Sequence, residues 1–128
     1  MRKNISAGFF GDQIGYSRVV RVGNIIAVSG TAPVNADGTT AYPGDAYAQT
    51  KQCFQIAQTA LEKVDASIED TIRTRIMLTD INHWKEAAKA HSEIFKDIKP
   101  VCTFVEVKGF INPEWLVEIE MDCVSDKA

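Results

Sequence analysis

In some segments of this chain apolar residues recur with the period of a helix, and in others with the period of a strand. The order of these segments limits the folds that the chain can adopt. From Asp45 onward, small and apolar residues recur every three or four positions, as on one face of a helix. They are Ala46, Thr50, Cys53, Phe54, Ala57, Ala60, Leu61 and Val64. A second stripe follows Asn82 and ends before Pro100, which disfavours helix in the residue preceding it. Its members are Trp84, Ala87, Ala88, His91, Ile94, Phe95 and Ile98. Two amphipathic helices are therefore predicted.

The segments around these helices read as strands. Two β-branched runs flank Gly23-Asn24, a pair that favours a tight hairpin turn. The predicted strands are 17–22, 25–29, 72–79, 101–107 and 116–124, with a further short edge strand around Thr39 to Ala41. With the helices, they predict one α+β domain spanning residues 1–128, in which a mixed six-stranded sheet carries both helices on one face.

Two strands have unusual faces. The run from Ile25 to Val28 is apolar on both faces, which indicates burial from both sides, either within the sheet or in an assembly. On the last strand Glu118, Glu120 and Asp122 share one face with Leu116. Arg73 and Arg75, on an earlier strand, are the expected partners of this acidic face, because opposite charges on adjacent strands stabilise a sheet.

Composition excludes several classes of function. A formal net charge of −3 without a basic run argues against nucleic-acid binding. The apolar stretch behind the N-terminus, Ile5 to Phe10, is too short for a signal peptide or a membrane span, so we expect no membrane partner. The 3 cysteines are an odd count without CxxC spacing, which fits a reducing cytoplasm. His83 and His91 show no metal-binding pattern, and neither a metal nor another cofactor is expected.

Short motifs spread over most of the chain resemble one known family. They are Gly15-Tyr16-Ser17, Val22-Gly23-Asn24, Val28-Ser29-Gly30 with Pro33, Gly44-Asp45 leading to Gln49-Thr50, Leu78-Thr79-Asp80, Thr103 to Val107 and Leu116 to Glu120. In this order they are similar to the RidA/YjgF family, also called the endoribonuclease L-PSP family. The resemblance implies a chorismate-mutase-like fold and a homotrimer whose three sheets close a barrel. It also implies small-molecule ligands in clefts between subunits, and many members hydrolyse enamines and imines to ketoacids and ammonia.

The resemblance also assigns roles to individual residues. It places Tyr16 in the cleft and Ser29 and Gly30 at its floor, and it makes Glu118 the carboxylate that orients a water molecule. Two positions on the second helix, Ala88 and His91, fall on the expected wall of the pocket.

The chain departs from the family pattern in three places. On the second helix, the deaminases often have an asparagine at the position of Ala88 and an aromatic residue near that of His91, and Ile14-Gly15-Tyr16 lacks the proline that the family often places before its tyrosine. The third departure concerns Cys102. The deaminases carry Pro-x-Arg-[Ser/Thr] where this chain reads Pro100-Val101-Cys102-Thr103, so Cys102 replaces the arginine that grips the substrate carboxylate. A thiol cannot make the two parallel bonds of a guanidinium. The spacing does not select a substitute cation. The candidates are Arg18, Arg21, Arg73 and Arg75.

Simpler roles exist for most of these residues. Cys102 is either a reactive thiol or a small apolar residue filling the space of the arginine, and no Cys/His motif favours reactivity. His91 is either a catalytic base or a half-buried, hydrogen-bonded side chain. Tyr16 and Trp115 are either ligand walls or packing residues. By default Glu118 would be a solvated partner of a strand arginine.

Three functions are therefore open. The first is hydrolysis of a small enamine or imine, with Glu118 positioning water and an altered substrate range because of Cys102. The second is a non-catalytic trimer that binds a small metabolite or acts as a regulator. The third, a ribonuclease or translation inhibitor, has least support because the chain is acidic and lacks a basic stripe.

Overall fold

The fold is described from a computed structural model, which describes residues 1–126. Two short 3-10 turns, Ile68–Asp70 and Ile81–His83, lie before and after the strand Thr71–Leu78. The elements are β1 Arg2–Ser6, α1 Phe9–Ile14, β2 Ser17–Val22, β3 Ile25–Thr31, α2 Ala46–Glu62, β4 Thr71–Leu78, α3 Trp84–Phe95, β5 Val101–Glu106 and β6 Val117–Val124. Within residues 1–126, no helix is both long and apolar enough to cross a membrane.

The six strands form one mixed sheet in the order β1-β2-β3-β6-β4-β5. Neighbouring strands are antiparallel except β4 and β5, which are parallel and joined through α3. The predicted α+β fold, with a mixed six-stranded sheet and two long helices on one face, is confirmed. The sheet of a single chain is open, with β1 and β5 at its edges, so a closed barrel needs more than one chain.

The sixth strand is not where the sequence placed it. The segment around Thr39 to Ala41 makes only an isolated bridge, which joins Val34 to Thr40 across a turn at Gly38 with a φ of 88°. The sixth strand is β1, which pairs with β2 and has only Ile5 partly buried. Such a polar edge strand carries almost no period-two apolar signal. The prediction of a strand at 39–41 is therefore wrong.

The core lies between the sheet and the two long helices. Asp45 caps α2, as predicted, by accepting a hydrogen bond from the backbone N–H of Ala48 at 3.0 Å. The predicted stripe of α2 is buried, and Phe54 packs edge-on against Phe95 of α3 with ring centroids 5.1 Å apart. On α3, Ala87, Ala90 and Phe95 are buried, whereas Trp84 at the helix start is 45% exposed.

Two features of the strand pattern differ from expectation. Alternation along β4 predicts that Ile72 shares a face with Thr74, Ile76 and Leu78. These three are buried, but Ile72 is 52% exposed, because one extra residue of β4 between Thr71 and Arg73 shifts the register against β6. In β3, Ile26 and Val28 enter the core but Ile25 is 64% exposed. The second apolar face of β3 is thus not covered within one chain, and burial in an assembly remains a prediction.

Candidate functional site

A cavity of about 710 Å³ lies where the N-terminal segment, the ends of β2 and β3, and the loop before β6 meet. The sequence-predicted residues Tyr16, Gly30 and Glu118 all line it. Arg18 and Trp115 line it as well. The structure therefore brings three of the predicted site residues together and adds a cation and an aromatic wall.

Two β-bulges shape this end of the sheet. Ile5 pairs with Val19 and Ser6 pairs with Ser17, so Arg18 is an extra residue in β2. In β3 the three steps from Val28 to Thr31 oppose two steps of β6, which makes Ser29–Gly30 the site of the second bulge. Bulges re-aim side chains and often lie beside active sites. The side chain of Arg18 bridges the two, because its Nη1 donates to the carbonyl oxygen of Gly30 at 3.1 Å.

Glu118 owes its position to the alternation of β6. Its neighbours Val117 and Ile119 are fully buried in the core, so the Glu118 side chain projects from the opposite face of the sheet. Across the β4–β6 pairing Asp122 faces Arg73 and Glu120 faces Arg75, but Glu118 faces Met77.

The predicted ion pairs between neighbouring strands form next to Glu118 but do not include it. Arg73 pairs with Asp122 at 3.5 Å, and Arg75 pairs with Glu120. Burial raises the pKa of Glu118 above its ordinary value of 4.5, with Arg18 opposing the rise and Glu120 adding to it. Glu118 is thus a half-buried carboxylate with a raised pKa at the cavity wall.

Gly30 makes room for that carboxylate. A Cβ atom built on Gly30 would lie 3.0 Å from Oε1 of Glu118, closer than ordinary van der Waals contact. The carboxylate therefore packs directly against the backbone of the β3 bulge.

Ser29 reaches the same region through Arg18. Its Oγ accepts a hydrogen bond from Nη1 of Arg18 at 3.4 Å. Together with Tyr16, it also lines a neighbouring cavity of about 340 Å³. A direct role for Ser29 in binding ligand stays a prediction.

The other predicted residues lie elsewhere in the chain. Cys102 is exposed on the edge strand β5 and pairs with Thr74 in parallel register. Thr74 is buried on the helix-covered face, where its Oγ1 lies 2.8 Å from Nε2 of His91. Cys102 therefore projects from the face of the sheet opposite to Glu118, and only a second subunit could bring the two together.

His91 has the hydrogen-bonded environment of a packing residue. Its ring lies 4.5 Å from that of Phe95 and 5.8 Å from that of Phe54, centroid to centroid. Ala88, one turn earlier on α3, is partly buried. Neither residue lines the Glu118 cavity, and their role as a wall of an intersubunit cleft stays a prediction.

His91 makes the stability of the fold sensitive to mild acid. Burial lowers its pKa from the ordinary 6.5, so the unfolded chain binds a proton more readily than the folded one. Its contribution to stability is present above pH 6.5 and is lost as pH falls from that value through the lower folded-state pKa. We expect the melting temperature to fall more steeply between pH 7 and 5.5 in the wild type than in His91→Gln, measured by circular dichroism. Equal slopes would contradict this.

Trp115 lines the cavity although its sequence context favoured packing. Its Nε1 is buried and has no hydrogen-bond partner among residues 1–126. No sequence signal distinguished Trp115 or selected Arg18 among four arginines. The signal that could have found Arg18 is the pair of irregularities in β2 and β3, which strand alternation alone does not reveal.

The described residues offer no metal site. Within residues 1–126, no group of three or more His, Cys, Asp or Glu side chains could hold a metal ion. The polar side chains that line the cavity include the Glu118 carboxylate, the Arg18 guanidinium, the Tyr16 hydroxyl and the Asn112 amide.

Fold and cavity together define a small α+β protein that carries a charged cavity at one end of an open sheet. Residues 11–125 match the family described as Endoribonuclease L-PSP. A crystal structure from Mycobacterium tuberculosis, a member of the YjgF/YER057c/UK114 family, has 38% identity and a TM-score of 0.87, covering 98% of this chain and 100% of that one. The chain thus belongs to the RidA/YjgF family.

Two sequence relatives agree with this assignment. An uncharacterized protein of Streptomyces coelicolor is 34% identical over 111 residues, which cover 87% of this chain and 82% of that protein. A RutC family protein of Pyrococcus abyssi is 31% identical over 112 residues, which cover 88% of this chain and 86% of that protein. Both matches extend over nearly the whole domain.

Proposed function

We propose that this protein hydrolyses a small enamine or imine metabolite to a carbonyl compound and ammonia, with Glu118 as the general base. The observation that carries the proposal is the half-buried Glu118 carboxylate, which shares a cavity with Tyr16 and Gly30. A carboxylate with a raised pKa is a stronger base than an ordinary one, and it can accept a proton and later return it. Membership of the RidA/YjgF family supports this class of reaction.

Glu118 would act on water and then on nitrogen. It accepts a proton as the water oxygen forms a bond to the carbon of the C=N group, and the electron pair of the double bond moves to nitrogen. It returns that proton to nitrogen, which gives the neutral carbinolamine. It then takes the proton of the carbinolamine hydroxyl and delivers it to nitrogen, so that the C=O bond forms, the C–N bond breaks, and the carbonyl compound and ammonia leave. An enamine first takes a proton on carbon and loses one from nitrogen, and so becomes the imine. The chemistry consumes one water molecule and needs no oxidant or metal.

Three features support a homotrimer with clefts between subunits. The sheet has open edges at β1 and β5, and Ile25 and Val101 are 64% and 58% exposed. Cys102 and Glu118 lie on opposite faces of one chain's sheet. A second subunit would cover the apolar residues and bring the two faces together. Light scattering tests this, and a monomeric mass at micromolar concentration would contradict the shared-cleft arrangement.

Cys102 favours a second candidate, a non-catalytic trimer that binds a small metabolite. A protein that binds without turnover does not need the arginine that Cys102 replaces. An assay of ammonia release from imines formed by dehydration of serine and threonine separates the two functions. Acceleration over the buffer rate supports hydrolysis, whereas its absence favours the binding protein. A Cys102→Arg variant tests the altered substrate range, because equal rates for both proteins would show that this position does not matter.

The Gly30 position offers a further test of the proposed reaction. The added methyl of Gly30→Ala would meet Oε1 of Glu118 at 3.0 Å and displace the carboxylate. Since a misplaced catalytic group loses its reactive geometry, we expect the hydrolysis rate to fall on the order of tenfold. The matched control is Gly109→Ala, whose Cβ would meet nothing within 4 Å. Rates and melting temperatures of both variants are compared, and equal rates would contradict the close approach at Gly30.

A further inference from the structure

The four arginines that the sequence offered as substitute cations differ in their partners. Arg73 and Arg75 pair with acidic residues of β6. Arg21 donates to backbone carbonyl oxygens, including that of Val64 at 2.7 Å. Arg18 has no carboxylate oxygen within 4.0 Å among residues 1–126 and is half-buried in the Glu118 cavity. Of the four, only Arg18 combines a place in that cavity with a charge not neutralised by an ion pair.

One nitrogen of Arg18 is fixed by the β3 bulge. Nη1 donates to the carbonyl oxygen of Gly30 at 3.1 Å, to Oγ of Ser29 at 3.4 Å and to Oγ1 of Thr31 at 3.4 Å. Nε and Nη2 have no hydrogen-bond partner within the described part of the chain. These two nitrogens form the edge of the guanidinium that binds a carboxylate with two parallel bonds. The side chain is therefore held in place with its binding edge available.

The position of the Arg18 guanidinium relative to the Glu118 carboxylate is compatible with a ligand bound between them. Arg18 is close enough to oppose the rise in the pKa of Glu118, yet the two make no ion pair within 4.0 Å. Both contact the same short segment, since Gly30 bonds Arg18 and lies against the Glu118 carboxylate. A small molecule with an anionic end can reach the guanidinium while its adjacent carbon faces the carboxylate.

We propose that Arg18 binds the carboxylate of a small 2-imino or 2-oxo acid and so fixes the substrate class of this cavity. The inference rests on the proposed hydrolysis and specifies its substrate. The cation comes from the β2 bulge instead of the position of Cys102 on β5, and it lines the same cavity as Glu118 within one chain. Arg18 is then a binding residue that orients the C=N carbon toward the water held by Glu118.

Binding of pyruvate, a stable 2-oxo acid, tests the proposal without turnover. Calorimetric titration of the full-length wild type should give at least tenfold tighter binding of pyruvate than of methyl pyruvate, which lacks the negative charge. Arg18→Met should weaken pyruvate binding at least tenfold and remove the preference over the ester. Arg18→Lys should bind pyruvate with an affinity between those of the wild type and Arg18→Met, because lysine keeps the positive charge but cannot donate two parallel hydrogen bonds. Arg73→Met, a strand arginine already paired with Asp122, is the matched control and should bind like the wild type.

Two results would overturn the proposal. One is a wild type that binds no pyruvate or does not prefer it to the ester, an outcome independent of whether Arg18→Met folds. The other is an Arg18→Met variant that folds, as judged by circular dichroism, and binds pyruvate as the wild type does. If pyruvate binding depends on Arg18 but no imine is hydrolysed, the proposed reaction fails and the carboxylate site stands. If hydrolysis proceeds equally without Arg18, the reaction stands and the site fails.

Discussion

Glu118→Gln is expected to reduce imine hydrolysis by about 100-fold to 10,000-fold while leaving the fold intact, because the amide cannot accept a proton from water. The free energy of unfolding at pH 7 should be unchanged or slightly higher. Burial raises the pKa of the Glu118 carboxyl, so the folded state disfavours its ionised form, and a neutral side chain removes that penalty. Loss of activity with no loss of stability distinguishes a catalytic carboxylate from a structural one.

The pH dependence of the reaction provides a second readout for Glu118. Activity requires the ionised carboxylate, so the acidic limb of kcat/KM should lie above the ordinary glutamate value of 4.5 and should be absent in Glu118→Gln. The matched control is Glu120→Gln, which removes a carboxylate of the same strand face that is already paired with Arg75. A Glu120→Gln rate as low as that of Glu118→Gln would contradict the assignment.

Gln49→Leu is expected to destabilise the protein by about 3 kcal/mol, a large share of the ~5–15 kcal/mol that holds a typical domain folded. Gln49 is fully buried on α2 and makes three hydrogen bonds to the backbone. Its Nε2 donates to the carbonyl oxygens of Tyr42 at 3.3 Å and Glu114 at 3.1 Å, and its Oε1 accepts from the N–H of Leu116 at 2.9 Å. Leucine would leave all three backbone groups without these partners.

Gln49 also connects the core to the cavity. Two of the three residues it holds, Glu114 and Leu116, belong to the loop before β6, whose members Asn112, Pro113 and Trp115 line the Glu118 cavity. We therefore expect Gln49→Leu to raise KM as well as to lower the denaturation midpoint in urea. The matched control is Gln52→Leu, one turn along the helix, which loses a single bond to the carbonyl oxygen of Val34 and should cost about 1 kcal/mol. Equal destabilisation by both variants would contradict the bracing role of Gln49.

Elements with a strong period could be predicted from the sequence. The two long helices, the hairpin around Gly23-Asn24 and the three later strands follow from apolar spacing and turn residues, and the structure has all of them. The strand β1 and the short helix α1 could not be predicted, because β1 is mostly exposed and α1 buries only Gly11. Ile72 was misplaced because a bulge breaks the alternation that the prediction assumed.

The candidate site also contains residues that the sequence could predict and residues that it could not. The motifs placed Tyr16, Gly30 and Glu118 together, and the structure puts all three at one cavity. Arg18 could not be selected, because the choice among four arginines depends on strand register and on which acidic residues lie opposite each. The distance between Cys102 and Glu118 within one chain also depends on topology, because β4 lies between β5 and β6 in the sheet although these two strands are consecutive in sequence.

The paired bulges separate the lining of the cavity from the packing of the core. Each bulge accommodates one extra residue, so Val19, Val28 and Thr31 on either side all remain buried. Substitutions at Arg18 and Ser29 can therefore change the chemistry that the cavity presents to a ligand without shifting the residues that fill the interior.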